Sequence, residues 1–351
     1  MKVTKTSLSN LRKTVAGAQR NDKTKHNVSY NGNTYTIVHI SDPHLSHRYY
    51  REHIKSFNTL LRNVMKSGFD HMIISGDIVS TGDVEDFYVA RKILNRYDLL
   101  DSERLTVIPG NHDIFGGPHR AVDVLSFPKY IRNVDYRRNL ALFNETFTET
   151  FDGVRRMNES SLYPFIKEAG PFAIIGLNSI PKWSLLHNPV GSNGCVSHEQ
   201  FNDLANLIGD PGLEQKIPIV AIHHHLNHLV SDPAMPNTLF RQIESQMMRL
   251  RKRRKLLNYF NDLNVQYILH GHIHRNEFYT RNGIQIANGA GAVCNDPVRL
   301  LKYNRLSFHN GLTSLKMFTL PIAGSKPVKI DALEEMRKDI WMRRQILRTA
   351  S

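Results

Sequence analysis

The chain has 351 residues, 40% of them hydrophobic, with 46 basic against 32 acidic side chains and a formal charge of +14. That length allows about two domains at ~150 residues each, or one large α/β domain, with a core that needs no staples. The hydrophobic fraction excludes a disordered chain, two cysteines (Cys195 and Cys294) exclude a disulfide framework, and no apolar run approaches the ~18 residues of a spanning helix.

Residues 1–31 are basic and Ser/Thr-rich without the apolar stretch of a secretory signal, and are expected to form a flexible arm. A cytoplasmic protein is therefore expected, with peripheral membrane attachment as the alternative. Seven short β-branched-rich runs follow, and near-continuous runs of this kind mark strands buried on both faces. They are Thr34–Ile40, His71–Ser75, Leu105–Pro109, Phe172–Leu177, Ile217–His223, Gln266–His270 and Ile284–Asn288. Helix-period stretches separate several of them: His53–Met65, Asp86–Tyr97 and His198–Ile208. Thr313–Pro321 reads as a last, antiparallel strand. Such alternation predicts a layered α/β protein with a central sheet over residues 32–322. An extension follows, 323–351, whose residues 332–349 form an amphipathic helix behind an Asp331-x-x-Glu334 capping box. That helix would dock on its own core, pair two copies into a homo-oligomer, or rest on a membrane.

In α/β sheets, ligands gather beyond the carboxyl ends of strands. Five strand ends of this chain run into carboxylate, amide or imidazole groups: Asp42 and His44; Asp77; Asn111, His112 and Asp113; His223–His225; His272 and His274. An Asp-x-His or His-x-His pair in extended backbone aims both side chains one way. Asp42, His44, Asp77, Asn111, one histidine of His223–His225, His272 and His274 make seven N/O ligands without a cysteine, which exceed what one tetrahedral zinc ion takes and suit two ions about 3.5–4 Å apart, bridged by a carboxylate. Imidazole and carboxylate favour Mn, Fe, Zn or similar ions.

The ordered blocks Asp42-x-His44, Gly76-Asp77, Gly110-Asn111-His112-Asp113, His224 and Gly271-His272-x-His274 resemble those of the calcineurin-like metallophosphoesterases, over roughly Thr34 to Gly291. The resemblance implies a four-layer αββα sandwich with a dinuclear centre at the strand ends. It implies that Asp42, His44, Asp77 and His274 hold one ion, and that Asp77, Asn111, His224 and His272 hold the other. Leu226 stands where relatives often have proline, which places the ligand at His224, with His223 as the alternative. A water between the two ions would be acidified toward hydroxide and attack the phosphorus. By the same resemblance His112 contacts the phosphate and protonates the leaving oxygen, and Asp113 orients its ring.

The segment GDIVSTGDVEDFYVARKIL (Gly76–Leu94) resembles bacterial class III cyclic-nucleotide phosphodiesterases, which makes a small phosphodiester the expected substrate. The GDxxDRG pattern of protein phosphatases is missing. About sixty residues separate Asp113 from the next predicted strand, and 115–165 is expected to form a cap. His47, His225 and Arg120 are candidate substrate contacts. The run Arg249–Lys255, six basic residues in seven, reads as a helix with a solvated basic face or as a contact for nucleic acid or anionic lipid. Together with the basic cap it keeps open a nuclease or a hydrolase of nucleotide-sugar lipid pyrophosphates. A non-catalytic scaffold is the distant alternative.

Overall fold

The computed structural model describes residues 24–25, 28, 30–117, 127, 129–227, 248–274, 277–289, 291–293 and 300–321. Arg120, His228, Cys294, the predicted helix 332–349 and most of the N-terminal arm lie outside them.

Two sheets form the frame. The first has the order β1 (Thr24–Lys25), β13 (Leu312–Pro321), β12 (Leu300–His309), β2 (Thr34–Ile40), β3 (His71–Ile74), β4 (Leu105–Val107). Strands β2, β3 and β4 are parallel, and β12 runs antiparallel to β2. The second has the order β10 (Phe278–Arg281), β11 (Ile284–Asn288), β9 (Tyr267–His270), β8 (Ile217–Ala221), β7 (Phe172–Gly176), β6 (Ser161–Ala169), β5 (Arg155–Asn158). Its four central strands are parallel.

Side-chain parity assigns the strand residues to layers, because successive residues point to opposite faces. Along β7 and β8, Phe172, Ile174, Ile217, Ile219 and Ala221 join the core shared with the first sheet. Their neighbours Ala173, Ile175 and Val220 face a second core with α5 (His198–Asn206), α6 (Pro211–Glu214) and α7 (Arg253–Asp262). On the first sheet the covering helices are α1 (Arg51–Ser67) and α2 (Val84–Arg96). Phe57, Leu60, Leu61 and Val64 bury one face of α1 at helical spacing, and the chain leaves that helix at Gly68 with φ 70°, a conformation cheap only for glycine. Helices therefore flank two packed sheets. No helix among the described residues is long and apolar enough to cross a membrane.

The pattern by itself pointed to one central sheet, and β6, β12 and their neighbours account for the difference. Strand β12 buries Lys302 and Asn304 beside Leu301 and Leu306, so its polarity hides it. In β6, Pro164 and Lys167 have the same effect. The span 115–165 expected to form a cap divides. After α3 (Asn111–Phe115), α4 (Tyr136–Thr146) packs through Phe143 on Phe87 of α2, and Arg91 forms a bidentate pair with Glu149. From Arg155 onward the chain belongs to the second sheet. A small apolar cluster of Ile114, Phe115, Ile131 and Ile180 joins the first half to the loop after β7.

Candidate metal centre

Beyond β2 and β3 the two chains stay zipped in parallel. Ser75 N donates to Ile40 O (3.0 Å), Asp42 N to Gly76 O (3.0 Å), His44 N to Asp77 O (3.0 Å) and Leu45 N to Ile78 O (2.9 Å). Inside this ladder Asp42, His44 and Asp77 adopt φ of 54°, 45° and 50°, and across the seam His272 and His274 adopt 77° and 46°. The Asp-x-His and His-x-His pairs are thus aimed by left-handed backbone, not by the extended alternation expected from sequence. Each such residue costs roughly 1–2 kcal/mol, and strain of this kind collects at functional sites. Gly110 is required by close approach: a Cβ there would stand 2.1 Å from Asp77 N and 2.2 Å from its Oδ1.

These loops gather a buried cluster. Asp77 Oδ2 lies 3.8 Å from His44 Nε2 and 3.4 Å from His223 Nε2. His44 Nε2 is 3.0 Å from His274 Nε2, which is 3.5 Å from Asp42 Oδ1. On the other side His223 Nε2 is 3.1 Å from Asn111 Oδ1 and 3.2 Å from His272 Nδ1. Three overlapping donor groups result, Asp42/His44/His274, His44/Asp77/His112 and Asp77/His223/His272, with Asp77 shared by the last two.

In the histidine run the structure brings the alternative residue of the sequence reading into the cluster. His223 joins the cluster, whereas His224 turns away, its Nδ1 2.8 Å from Ser179 Oγ and its Nε2 3.2 Å from Ser192 O. Parity is the reason. Ile219 and Ala221 face the inter-sheet core and Val220 and Ile222 the outer one, so His223 continues the inner face past the strand end. His223 Nδ1 donates to Ser75 O (2.8 Å), which turns Nε2 toward Asp77 Oδ2 and Asn111 Oδ1 in the cluster.

Asp113 also departs from expectation. Its Oδ1 accepts from Val79 N (2.9 Å) and its Oδ2 from Gly110 N (2.8 Å), so it holds the turn ahead of α3 and does not orient His112. The His112 ring, 4.6 Å from that of His44, is met at Nδ1 by Ser80 O (3.3 Å), and its backbone N donates to Asp77 Oδ1 (2.7 Å). His47 is engaged by the buried Asp86, whose Oδ1 is 2.8 Å from His47 Nδ1. His225 is buried and stacks on His272 at 6.1 Å. Behind the cluster, His39 Nε2 donates to Ser75 Oγ (2.9 Å) and Asn304 Nδ2 donates to His39 Nδ1 (3.1 Å). Asn304 went unnoticed in the sequence. The polar character of β12 hides it there.

Burial governs the electrostatics. It pushes His39 down to about 3 and His270 to about 4, and holds His44, His224 and His272 well below the ordinary imidazole value, so these rings are neutral. Burial also opposes charge on Asp77 and on His223, but each stabilises the other's ion. Asp77 ends well below the carboxylate range and His223 rises to about 9. Burial and then the Asp77 charge push Asp113 up to about 8. A cation beside Asp77 would neutralise the charge that raises Asp113.

The residues present fit a pair of metal ions. Neutral imidazoles and carboxylates are the donors such ions take, and the buried His272 Nε2 has no hydrogen-bond partner among the described residues.

The fold has counterparts among known proteins. The family model described as calcineurin-like phosphoesterase matches residues 35–276. Among solved structures, a dimetal phosphatase from Danio rerio aligns with TM-score 0.51 at 13% identity, covering 82% of this chain and 98% of that one. The phosphopantetheinyl hydrolase of Mycobacterium tuberculosis aligns with TM-score 0.43 at 15% identity, over 85% and 100% of the two chains. A purple acid phosphatase from yellow lupin seeds gives 0.49 at 11%, over 85% of this chain and 57% of its own. At such identities a likeness speaks for the fold alone. No curated protein sequence matches the chain.

Proposed function

We propose that this chain, which belongs to the calcineurin-like phosphoesterase family, is a dinuclear metal-dependent phosphodiesterase acting on a small phosphodiester such as a cyclic nucleotide. The observation that carries the dinuclear reading is one carboxylate oxygen, Asp77 Oδ2, set between His44 Nε2 at 3.8 Å and His223 Nε2 at 3.4 Å. Asp42, His44, Asp77 and His274 would hold one ion. Asp77, Asn111, His223 and His272 would hold the other, with Mn, Fe and Zn all compatible with the donors. When bound, the ions supply an acidified water and neutralise phosphate oxygens during in-line attack.

The chain's own residues do the rest. Ser75 O orients the His223 ring through Nδ1. Asp113 and Gly110 hold the turn that brings Asn111 and His112 to the centre. His112, beside His44 and steadied by Ser80 O, delivers a proton to the leaving oxygen. The choice of a diester rests on the Gly76–Leu94 segment and its likeness to cyclic-nucleotide phosphodiesterases. The test is hydrolysis of bis(p-nitrophenyl) phosphate against the monoester with Mn²⁺, for wild type and Asp77→Ala. Diester turnover that vanishes in the variant is expected. Preference for the monoester would make the protein a phosphatase, and no turnover with metal bound would reject small diesters.

A further inference from the structure

The chain between β7 and α5 leaves the second sheet at the end that carries the metal centre, and it forms a hairpin. Ser184 and Asn188 pair at its neck, where Asn188 N donates to Ser184 O (2.8 Å). At its tip Leu185 and Leu186 are 73% and 84% exposed, the highest values for large hydrophobic residues in the described structure. The tip is not a loose loop. The fully buried Asn188 donates through Nδ2 to Pro181 O (3.2 Å) and accepts from Asn193 N (3.0 Å). Trp183 Nε1 donates to Pro189 O (3.3 Å), with the Arg132 guanidinium 5.9 Å from the ring. Two leucines held outward on a well-braced turn gain nothing in water.

Basic groups surround the same tip. The run Arg249–Lys255 is not one helix, as its sequence suggested, because α7 starts only at Arg253 and Lys252 bends the chain with φ 56°. Before that bend the backbone is laced to the hairpin's return strand. Gly194 N donates to Arg249 O (3.0 Å), Arg251 N to Gly194 O (2.8 Å), and Arg249 N to Asn193 Oδ1 (3.1 Å). A cavity of about 370 Å³ results, lined by Leu186, His187, Asn193, Arg249, Arg251 and Lys252. Behind it the ammonium groups of Lys252 and Lys255 stand 5.9 and 5.0 Å from the Phe201 ring.

We propose that the Leu185–Leu186 hairpin and its rim of Arg249, Arg251 and Lys252 dock the protein on an anionic phospholipid bilayer. The leucines enter the boundary between headgroups and acyl chains, Trp183 lies at headgroup depth, and the rim meets lipid phosphates. A polynucleotide would satisfy the rim equally well, but it offers no apolar phase to two projecting leucines, and that decides for the bilayer. The excess of basic over acidic residues, 46 against 32, acts in the same direction. The docking face lies close to the centre, since Ser192 O contacts His224 Nε2 (3.2 Å) and the His224 ring lies 4.4 Å from that of His272. It is independent of which phosphoester is hydrolysed.

The experiment is co-sedimentation of the full chain with phosphatidylcholine vesicles, with and without phosphatidylglycerol. Wild type should bind only the anionic vesicles. Leu185→Ser/Leu186→Ser should weaken binding roughly tenfold per leucine, and Arg249→Gln/Arg251→Gln/Lys252→Gln roughly fivefold per charge. As a second readout that leaves the hairpin untouched, Trp341→Phe makes Trp183 the sole tryptophan, and its emission should shift to the blue and be quenched by brominated lipid. Absence of binding, binding that survives both multiple variants, or an unmoved Trp183 spectrum would each overturn the proposal. So would loss in the charge variant alone accompanied by equal affinity for duplex DNA, which would make the rim a nucleic-acid surface.

Discussion

The first sheet brings both carboxylates of the centre, Asp42 and Asp77, with His44, Asn111 and His112, whereas the second brings His223, His272 and His274, imidazoles alone. The first half is stiff in its own right: its loops continue the parallel ladder past the strands, and Asp113 ties Val79 to Gly110. The second half leans on the first. His223 Nδ1 rests on Ser75 O at 2.8 Å, and His272 N donates to both oxygens of Asp42, at 3.0 and 3.1 Å. Carboxylates from one sheet and imidazoles from the other meet only when the sheets pack, so the centre is a seam. Ions seated there would fasten the two layers, and their binding energy would appear as stability.

That asymmetry can be broken at its shared atom. Asp77→Asn should abolish diester turnover and lower the metal content of both halves, measured by elemental analysis. Full activity in this variant would mean that the halves work independently. The half from the second sheet is tested by a pair of neighbours. His223→Ala should lose more than the roughly 10–100-fold that an outer partner costs, together with about one ion per chain, while His224→Ala should stay within about tenfold at full metal content. The reverse result would restore the register read from sequence.

A smaller loss is expected for His112→Ala, roughly 10²–10⁴-fold in turnover with the metals retained, because His112 acts on the leaving group and is no part of the seam. An unchanged rate would remove it from the mechanism. Chelation should lower the thermal midpoint by several degrees, since ligand at a hundred times its Kd contributes about 2.7 kcal/mol. The shift should vanish in Asp77→Asn.

The smallest effect concerns a polar contact across the seam away from the centre. Lys167 of β6 donates to Leu105 O of β4 (2.7 Å) and to Thr150 O. Burial, only partly offset by Asp101 and Asp152, lowers it from 10.5 to about 7. Between those values the unfolded chain holds the proton more tightly than the folded one. Stability should therefore rise as pH rises from about 7 toward 10, by at most about 1.4 kcal/mol per pH unit. Lys167→Met should flatten that slope in urea titrations at several pH values. An equal slope in both proteins would show that Lys167 keeps its proton at an ordinary pKa.

Much of the centre was legible because its residues come in local blocks just past strand ends, where short spacing and residue type suffice: Asp42-x-His44, Gly76-Asp77 and His272-x-His274. What failed to read correctly depended on direction. Three consecutive histidines have three fates, His223 toward Asp77, His224 toward Ser179 and His225 stacked on His272, and identical side chains carry no mark of which way each points. Asp113, in the same block, serves the backbone and not the His112 ring, because two amides were closer to it. Strands β6 and β12 were missed since their buried Lys167, Lys302 and Asn304 break the apolar pattern that identifies a strand.

The sequence by itself determined the chemistry: a donor set of carboxylate, amide and imidazole, its order along alternating strands and helices, and with these the family. Residue type and short-range periodicity carry that information, so no long-range contact is needed to read it. Only the tertiary structure decided which of three consecutive histidines faces Asp77 and which backbone groups Asp113 serves. It also decided that Leu186 shares a face with Arg249 and Arg251, more than sixty residues later in the chain. Those outcomes depend on which way the backbone turns after each strand and on which surfaces pack, and both are set by contacts between segments far apart in sequence.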